Sequence, residues 1–169
     1  YSVKVPYLKH KIWLRAGTSD LMVFRQICCS GETEFELGEE LTPPHFIVDA
    51  GANIGLSSII FAIRWPNSKI IALEIDSENY SLLCKNIAQY SNVIPLKKAL
   101  WGTDGYVRIS TPTAEPWAFQ VVETEKDDPA AIEAISLGQI LTENGEKIFS
   151  LLKIDIEGAE IDVLQSNTS

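Results

Sequence analysis

Basic runs are absent from this sequence, and so are long apolar ones. Lys and Arg number 14 against 23 Asp and Glu, a formal net charge of −9. Phosphate backbones and anionic membrane surfaces need clustered cations, so no nucleic-acid partner is expected. No apolar run reaches about 18 residues, so no transmembrane segment is expected either. The three cysteines, Cys28, Cys29 and Cys84, fit neither a zinc spacing nor a disulfide framework. That points to a reducing compartment, with a cytoplasmic location as the expectation. Histidine is scarcer still. His10 and His45 both lie away from the carboxyl ends of expected strands, which argues against a histidine base, a Ser-His-Asp arrangement or a histidine-containing metal site. The chain opens at Tyr1 with neither an initiating Met nor a signal-peptide pattern, and reads as a processed or partial chain.

What is present is ordinary globular composition: 169 residues, 46% hydrophobic and 22% charged. That suffices for one domain with a sizeable core. Residues 1–44 read as a lead-in with one or two short strands, 11–15 the better, and a helix from about Leu21. Leu21, Phe24 and Ile27 recur at helical spacing, and Ser19 or Asp20 can cap the helix. From residue 45 the pattern becomes rhythmic. A strand at 46–48 is followed by a helix at 54–65, a strand at 69–73, a helix at 77–90 capped by Ser77, and a strand at 93–96. Pro95 suits an edge position for the last. This β-α-β-α order predicts a mostly parallel sheet flanked by helices. Residues 111–128 read as an insertion, and a strand at 148–154 leads into a helix starting near Ala159. Further strands are expected beyond the last residue.

Three places carry chemistry. Asp49-Ala50-Gly51-Ala52-Asn53-Ile54-Gly55 lies between the first parallel strand and its helix, where α/β sheets bind ligands. The dinucleotide pattern Gly-x-Gly-x-x-Gly fails at Asn53 and Leu56, and no P-loop Lys follows Gly55. The loop better suits a nucleoside with a small zwitterionic tail than a pyrophosphate. A plainer alternative leaves Gly51 and Gly55 to turn geometry and Asn53 to helix capping. Glu74 ends the second strand, where a carboxylate can accept both hydroxyls of a ribose. Asp76 is its rival, or a cap for the next helix. Ile75 would face the base, with Ala99-Leu100-Trp101 on its other side, unless those three are simply core. Third, Lys153-Ile154-Asp155-Ile156-Glu157-Gly158-Ala159-Glu160 sets three carboxylates at a strand end. Asp155 should approach Asp49. An acid here can orient or deprotonate a hydroxyl or bind an ammonium group, or merely favour the first turn of a helix.

The strings from Phe46 to Ser58 and from Leu152 to Glu160, with Glu74 between them, resemble the FkbM family of S-adenosylmethionine-dependent methyltransferases. Arg15-Ala16-Gly17-Thr18-Ser19-Asp20 is similar to that family's lead-in. The resemblance implies a Rossmann-like class I methyltransferase fold over 45–169, with its C-terminal strands missing from this chain. It implies S-adenosylmethionine held by Gly51, Asn53 and Gly55 around the methionine part and by Glu74 at the ribose, with Asp49, Ile75 and Ala99 alongside. Asp155 would stand near the amino group and the transferred methyl, and Ser19 and Asp20 would close over the cofactor. The implied reaction is O-methylation of a hydroxyl on a small molecule, sugar, glycolipid or polyketide. Asp155, Glu157 and Glu160 are the candidate catalytic residues, Glu157 first. Acceptor specificity would lie in the insertion, with Trp117 and Phe119. Two alternatives remain: a degenerate methyltransferase-fold binding protein, and a NAD-dependent oxidoreductase or epimerase.

Overall fold

The computed structural model describes residues 1–6, 8–29, 42–110, 121–156 and 163. In the lead-in, β1 (Ser2–Val3) and β2 (Ile12–Trp13) form an antiparallel hairpin, followed by α1 (Asp20–Cys29). Then come β3 (Phe46–Ala50), α2 (Leu56–Arg64), β4 (Lys69–Leu73), α3 (Ser77–Ile87) and β5 (Val93–Leu96). After them run β6 (Ala99–Leu100), β7 (Gly105–Ile109), β8 (Val121–Glu123), β9 (Ile132–Ile135), α4 (Leu137–Asn144) and β10 (Leu151–Ile154).

Contrary to the expectation of a Rossmann-like class I methyltransferase fold, the strands do not make one mostly parallel sheet. Among the described residues they form three sheets. Only the order β10-β3-β4-β5 is parallel, and the separate sheet β6-β9-β7-β8 is mixed, with β7 antiparallel to both β8 and β9. The reason is chain length. A parallel crossover needs about a dozen residues, and the links at 97–98 and 101–104 are far too short for one. The chain therefore leaves the parallel sheet after β5, adds β6 to the second sheet, and returns to the parallel sheet only after α4.

The parallel sheet is apolar on both faces, as its nearly unbroken hydrophobic strands require. Ile47, Ile70 and Ala72 pack into a core with α2, α3 and the lead-in, through Ile12, Leu14, Phe24 and Cys28. Their strand neighbours Phe46, Val48, Ile71 and Leu73 face the other way, onto α4 and Val163. Pro95 lies on the edge strand β5, where a missing N–H leaves no gap in the ladder. On α1 the buried side is Phe24 and Cys28, while Leu21 is 48% exposed, so the expected face is rotated. No helix of the described residues is long and apolar enough to cross a membrane.

Candidate functional site

Three parallel strands, β10, β3 and β4, bring their carboxyl ends side by side, and the candidate residues sit there. The loop leaving β3 runs through left-handed backbone at Gly51 (φ 75°), Asn53 (φ 52°) and Gly55 (φ 87°). At Gly51 a Cβ would lie 1.8 Å from the carbonyl oxygen of Asp155, and at Gly55 it would lie 2.7 Å from Leu83 Cδ1. Glycine is thus required twice, once for contact with β10 and once for contact with α3. Asn53 is not a helix cap. Gly55 occupies the N-cap of α2, with no side-chain capping bond, while the Asn53 backbone amide donates to Glu74 Oε2 at 2.8 Å.

Glu74 is 7% exposed. Its second oxygen, Oε1, accepts from the Asp76 amide at 2.8 Å. Burial pushes its carboxyl above the usual carboxylate range, and the amides of Asp76 and Asn53 offset only part of that rise. With the Ile75 amide also favouring the ionised form, the carboxylate's roughly four acceptor positions still leave room for a further donor. Asp76 resolves as the cap of α3, in place of Ser77, accepting from the amides of Glu78 (3.0 Å) and Asn79 (2.8 Å). Ile75 packs against the cluster of Ala99, Trp101, Val107 and Ala134, so one apolar wall adjoins Glu74.

Asp49 is fully buried. Its Oδ2 accepts from Ser58 Oγ at 2.6 Å, and its Oδ1 makes no hydrogen bond but lies 3.1 Å from Lys153 Nζ, a contact of charge alone. Register explains the meeting, since Lys153 stands directly opposite Asp49 across the β10–β3 ladder. The Lys153 ammonium also donates to the Gly51 carbonyl at 3.1 Å and lies 3.6 Å from Asp155 Oδ2. Asp49 and Asp155 thus approach each other as expected, with a lysine between them. Sequence reasoning passed over Lys153, although its i, i+2 spacing to Asp155 sets both on one face of the strand.

A cavity of about 260 Å³ opens here, between Gly51, Asn53, Lys153 and Asp155 below and Val23, Gln26 and Ile27 of α1 above. Ser19 and Asp20 do not line it. Ser19 is exposed and its carbonyl accepts from the amides of Met22 and Val23. Asp20 is 1% exposed, its two oxygens taken by Arg15, whose NH2 group also donates to Asn79 on α3. Glu157 and Glu160 lie outside the described residues, as do Trp117 and Phe119. A larger cavity of about 320 Å³, between Lys98, Tyr106, Glu133 and Gln139, shares no residue with the first.

One constellation is invisible to spacing. His45 Nδ1 lies 2.7 Å from Ser150 Oγ and its Nε2 lies 3.2 Å from Glu146 Oε2. It stands at the amino ends of β3 and β10, away from the cavity, with the His45 side chain 58% exposed. There it ties the start of β10 to β3.

The family model for the methyltransferase FkbM domain matches residues 49–169. Methyltransferase sdnD of Sordaria araneosa is 29% identical over 153 residues, which cover 71% of this chain and 59% of that protein. Methyltransferase 1 of Beauveria bassiana (strain ARSEF 2860) is 30% identical over 142 residues, covering 71% and 57%. The chain therefore spans under three fifths of the length of these two relatives. Among solved structures, methyltransferase FkbM from Methylobacillus flagellatus KT superposes with a TM-score of 0.55 at 18% identity, over 79% of this chain and 32% of that one. That likeness shows the fold: the β-rich arrangement of that protein, in place of the single parallel sheet expected above.

Proposed function

This chain belongs to the FkbM methyltransferase family, and from that premise we propose that it binds S-adenosylmethionine at the ends of β3, β4 and β10 and methylates a hydroxyl of a small molecule, sugar, glycolipid or polyketide. The observation that carries the reading is Glu74: a carboxylate fixed by two backbone amides, with lone pairs left for a ribose diol. The donor set fits the rest of the cofactor. Asp155, 69% exposed at the cavity, suits an ammonium group, the open backbone from Gly51 to Gly55 suits the methionine part, and Ile75 with Ala99 suits the flat face of the base.

When bound, S-adenosylmethionine supplies a methyl group on a sulfonium, open to in-line displacement. The protein's part is alignment and proton removal. Gly51 and Asn53 shape the floor, and the α1 residues Val23 and Ile27 cover it against water. Of the three candidate catalytic carboxylates, Asp155 serves the cofactor's ammonium end, and Glu157 first, with Glu160 as its rival, is assigned to take the hydroxyl proton. Ser19 and Asp20 act at one remove, by holding α1 in place.

Calorimetric titration with S-adenosylmethionine and S-adenosylhomocysteine tests the reading. Micromolar binding that disappears in Glu74→Ala supports it. A folded protein that binds neither compound refutes it.

A further inference from the structure

The cavity under α1 is lined by one cation and one anion among the described residues, Lys153 and Asp155, 3.6 Å apart. An α-amino acid carries the matching pair, an ammonium and a carboxylate on one carbon. Resting on the cofactor reading above, we propose that Lys153 is a cofactor-binding residue that takes the α-carboxylate of the amino-acid end while Asp155 takes the ammonium.

The hydrogen-bond accounting of Lys153 supports this. An ammonium has three donors. One is used in an aligned bond to the Gly51 carbonyl. The contact to Asp49 Oδ1 is not an aligned hydrogen bond, and Asp155 Oδ2 at 3.6 Å is too far for one. Two donors stay open on a side chain that is 17% exposed. Asp49 behind it holds the charge in place without using those donors. Glu74 does not line the cavity but touches it through the Asn53 amide, so the ribose end and the amino-acid end fall on either side of Asn53.

The alternative is that Lys153 is only a strap between β3 and β10. Two ligands separate the cases: S-adenosylhomocysteine has the carboxylate, and 5′-methylthioadenosine lacks the whole amino-acid end. We expect Lys153→Met to weaken S-adenosylhomocysteine about tenfold or more, the size of a charge-assisted bond. It should weaken 5′-methylthioadenosine less than about twofold, and Lys153→Arg should restore most of the loss. Equal loss on both ligands, or none on either, overturns the inference. Should Lys153→Met fail to fold because Asp49 is left buried without a counter-charge, the double variant Asp49→Asn with Lys153→Met removes both charges, and the same comparison decides. If wild type binds both ligands, Glu74→Ala loses both and Lys153→Met spares both, this inference falls alone. If wild type binds neither, the cofactor reading falls and takes the inference with it.

Discussion

The backbone amide of Asn53 donates to the carboxylate of Glu74 at 2.8 Å, tying the loop after β3 to the end of β4. Asn53 is the one non-glycine described residue with positive φ. That backbone costs roughly 1 kcal/mol for an L-residue, less for Asn than for most, and a charge-assisted bond is strong enough to offset it. The shape of the loop and the charge of Glu74 are therefore one coupled unit.

A pair of opposite pH slopes follows. Burial raises the Glu74 carboxyl above the usual range, so the folded chain binds that proton more readily than the unfolded chain. Its contribution to stability is fully present below the ordinary carboxylate value and is lost as pH rises through the raised one. Ribose hydroxyls donate to the ionised form, so cofactor affinity should move the other way, weakening as pH falls through that window. Chemical unfolding and calorimetry between about pH 4.5 and 7, on wild type and Glu74→Gln, should show both slopes in the first and neither in the second. Slopes of the same sign would rule out Glu74 as their source.

Two glycines with similar backbone separate strain from collision. Gly17 (φ 76°) has nothing within 4 Å of a Cβ position, whereas at Gly51 (φ 75°) that position lies 1.8 Å from the Asp155 carbonyl oxygen. Gly17→Ala should cost about 1 kcal/mol, the price of the left-handed backbone alone. Gly51→Ala adds overpacking against a strand and should cost about 3 kcal/mol or more, with loss of cofactor binding. Thermal unfolding of the two variants side by side measures the difference, and equal shifts would mean β10 gives way freely.

Much of this was legible because apolar strands of four or five residues ending in an acid are strong local signals. Phe46-Ile47-Val48 followed by Asp49, and Ile70-Ile71-Ala72-Leu73 followed by Glu74, put two acids at the carboxyl ends of β3 and β4. The approach of Asp155 to Asp49 was legible from strand order, but which side chains stand opposite one another was not. Lys153 meets Asp49, and His45 meets Ser150, only because β10 lies beside β3. The mixed sheet escaped for a different reason. Ala99-Leu100, read only as an apolar wall, is β6 of that sheet, and two residues paired with the distant β9 leave no local signal of a strand.

The contact between His45 and Ser150 should matter little to the site. It lies at the amino ends of the strands, and its ion pair with Glu146 involves a histidine that is 58% exposed. Exposed pairs of this kind contribute at most about 1 kcal/mol. Ser150→Ala should therefore stay within that range in urea unfolding and leave affinity for S-adenosylhomocysteine within about twofold. A larger affinity change would show that β10 transmits strain along its length to Lys153.

Asp20 should act through α1 and not by contact with the cofactor. Burial pushes its carboxyl up, but hydrogen bonds from the Arg15 side chain and backbone and from Thr18 outweigh this and hold it below the usual carboxylate range. Its stabilising contribution is thus present above the ordinary carboxylate value and is lost as pH falls through the lowered one. Asp20→Asn should cost about 2 to 3 kcal/mol at neutral pH, the lower side of a broken buried pair because Arg15 is part-exposed. The gap to wild type should close in acid, below about pH 4. Since Val23, Gln26 and Ile27 line the cavity on the same helix, cofactor affinity should fall only as far as α1 loosens. Unfolding curves and calorimetry on one preparation check this, and a variant of wild-type stability that no longer binds cofactor would reassign Asp20 to direct contact.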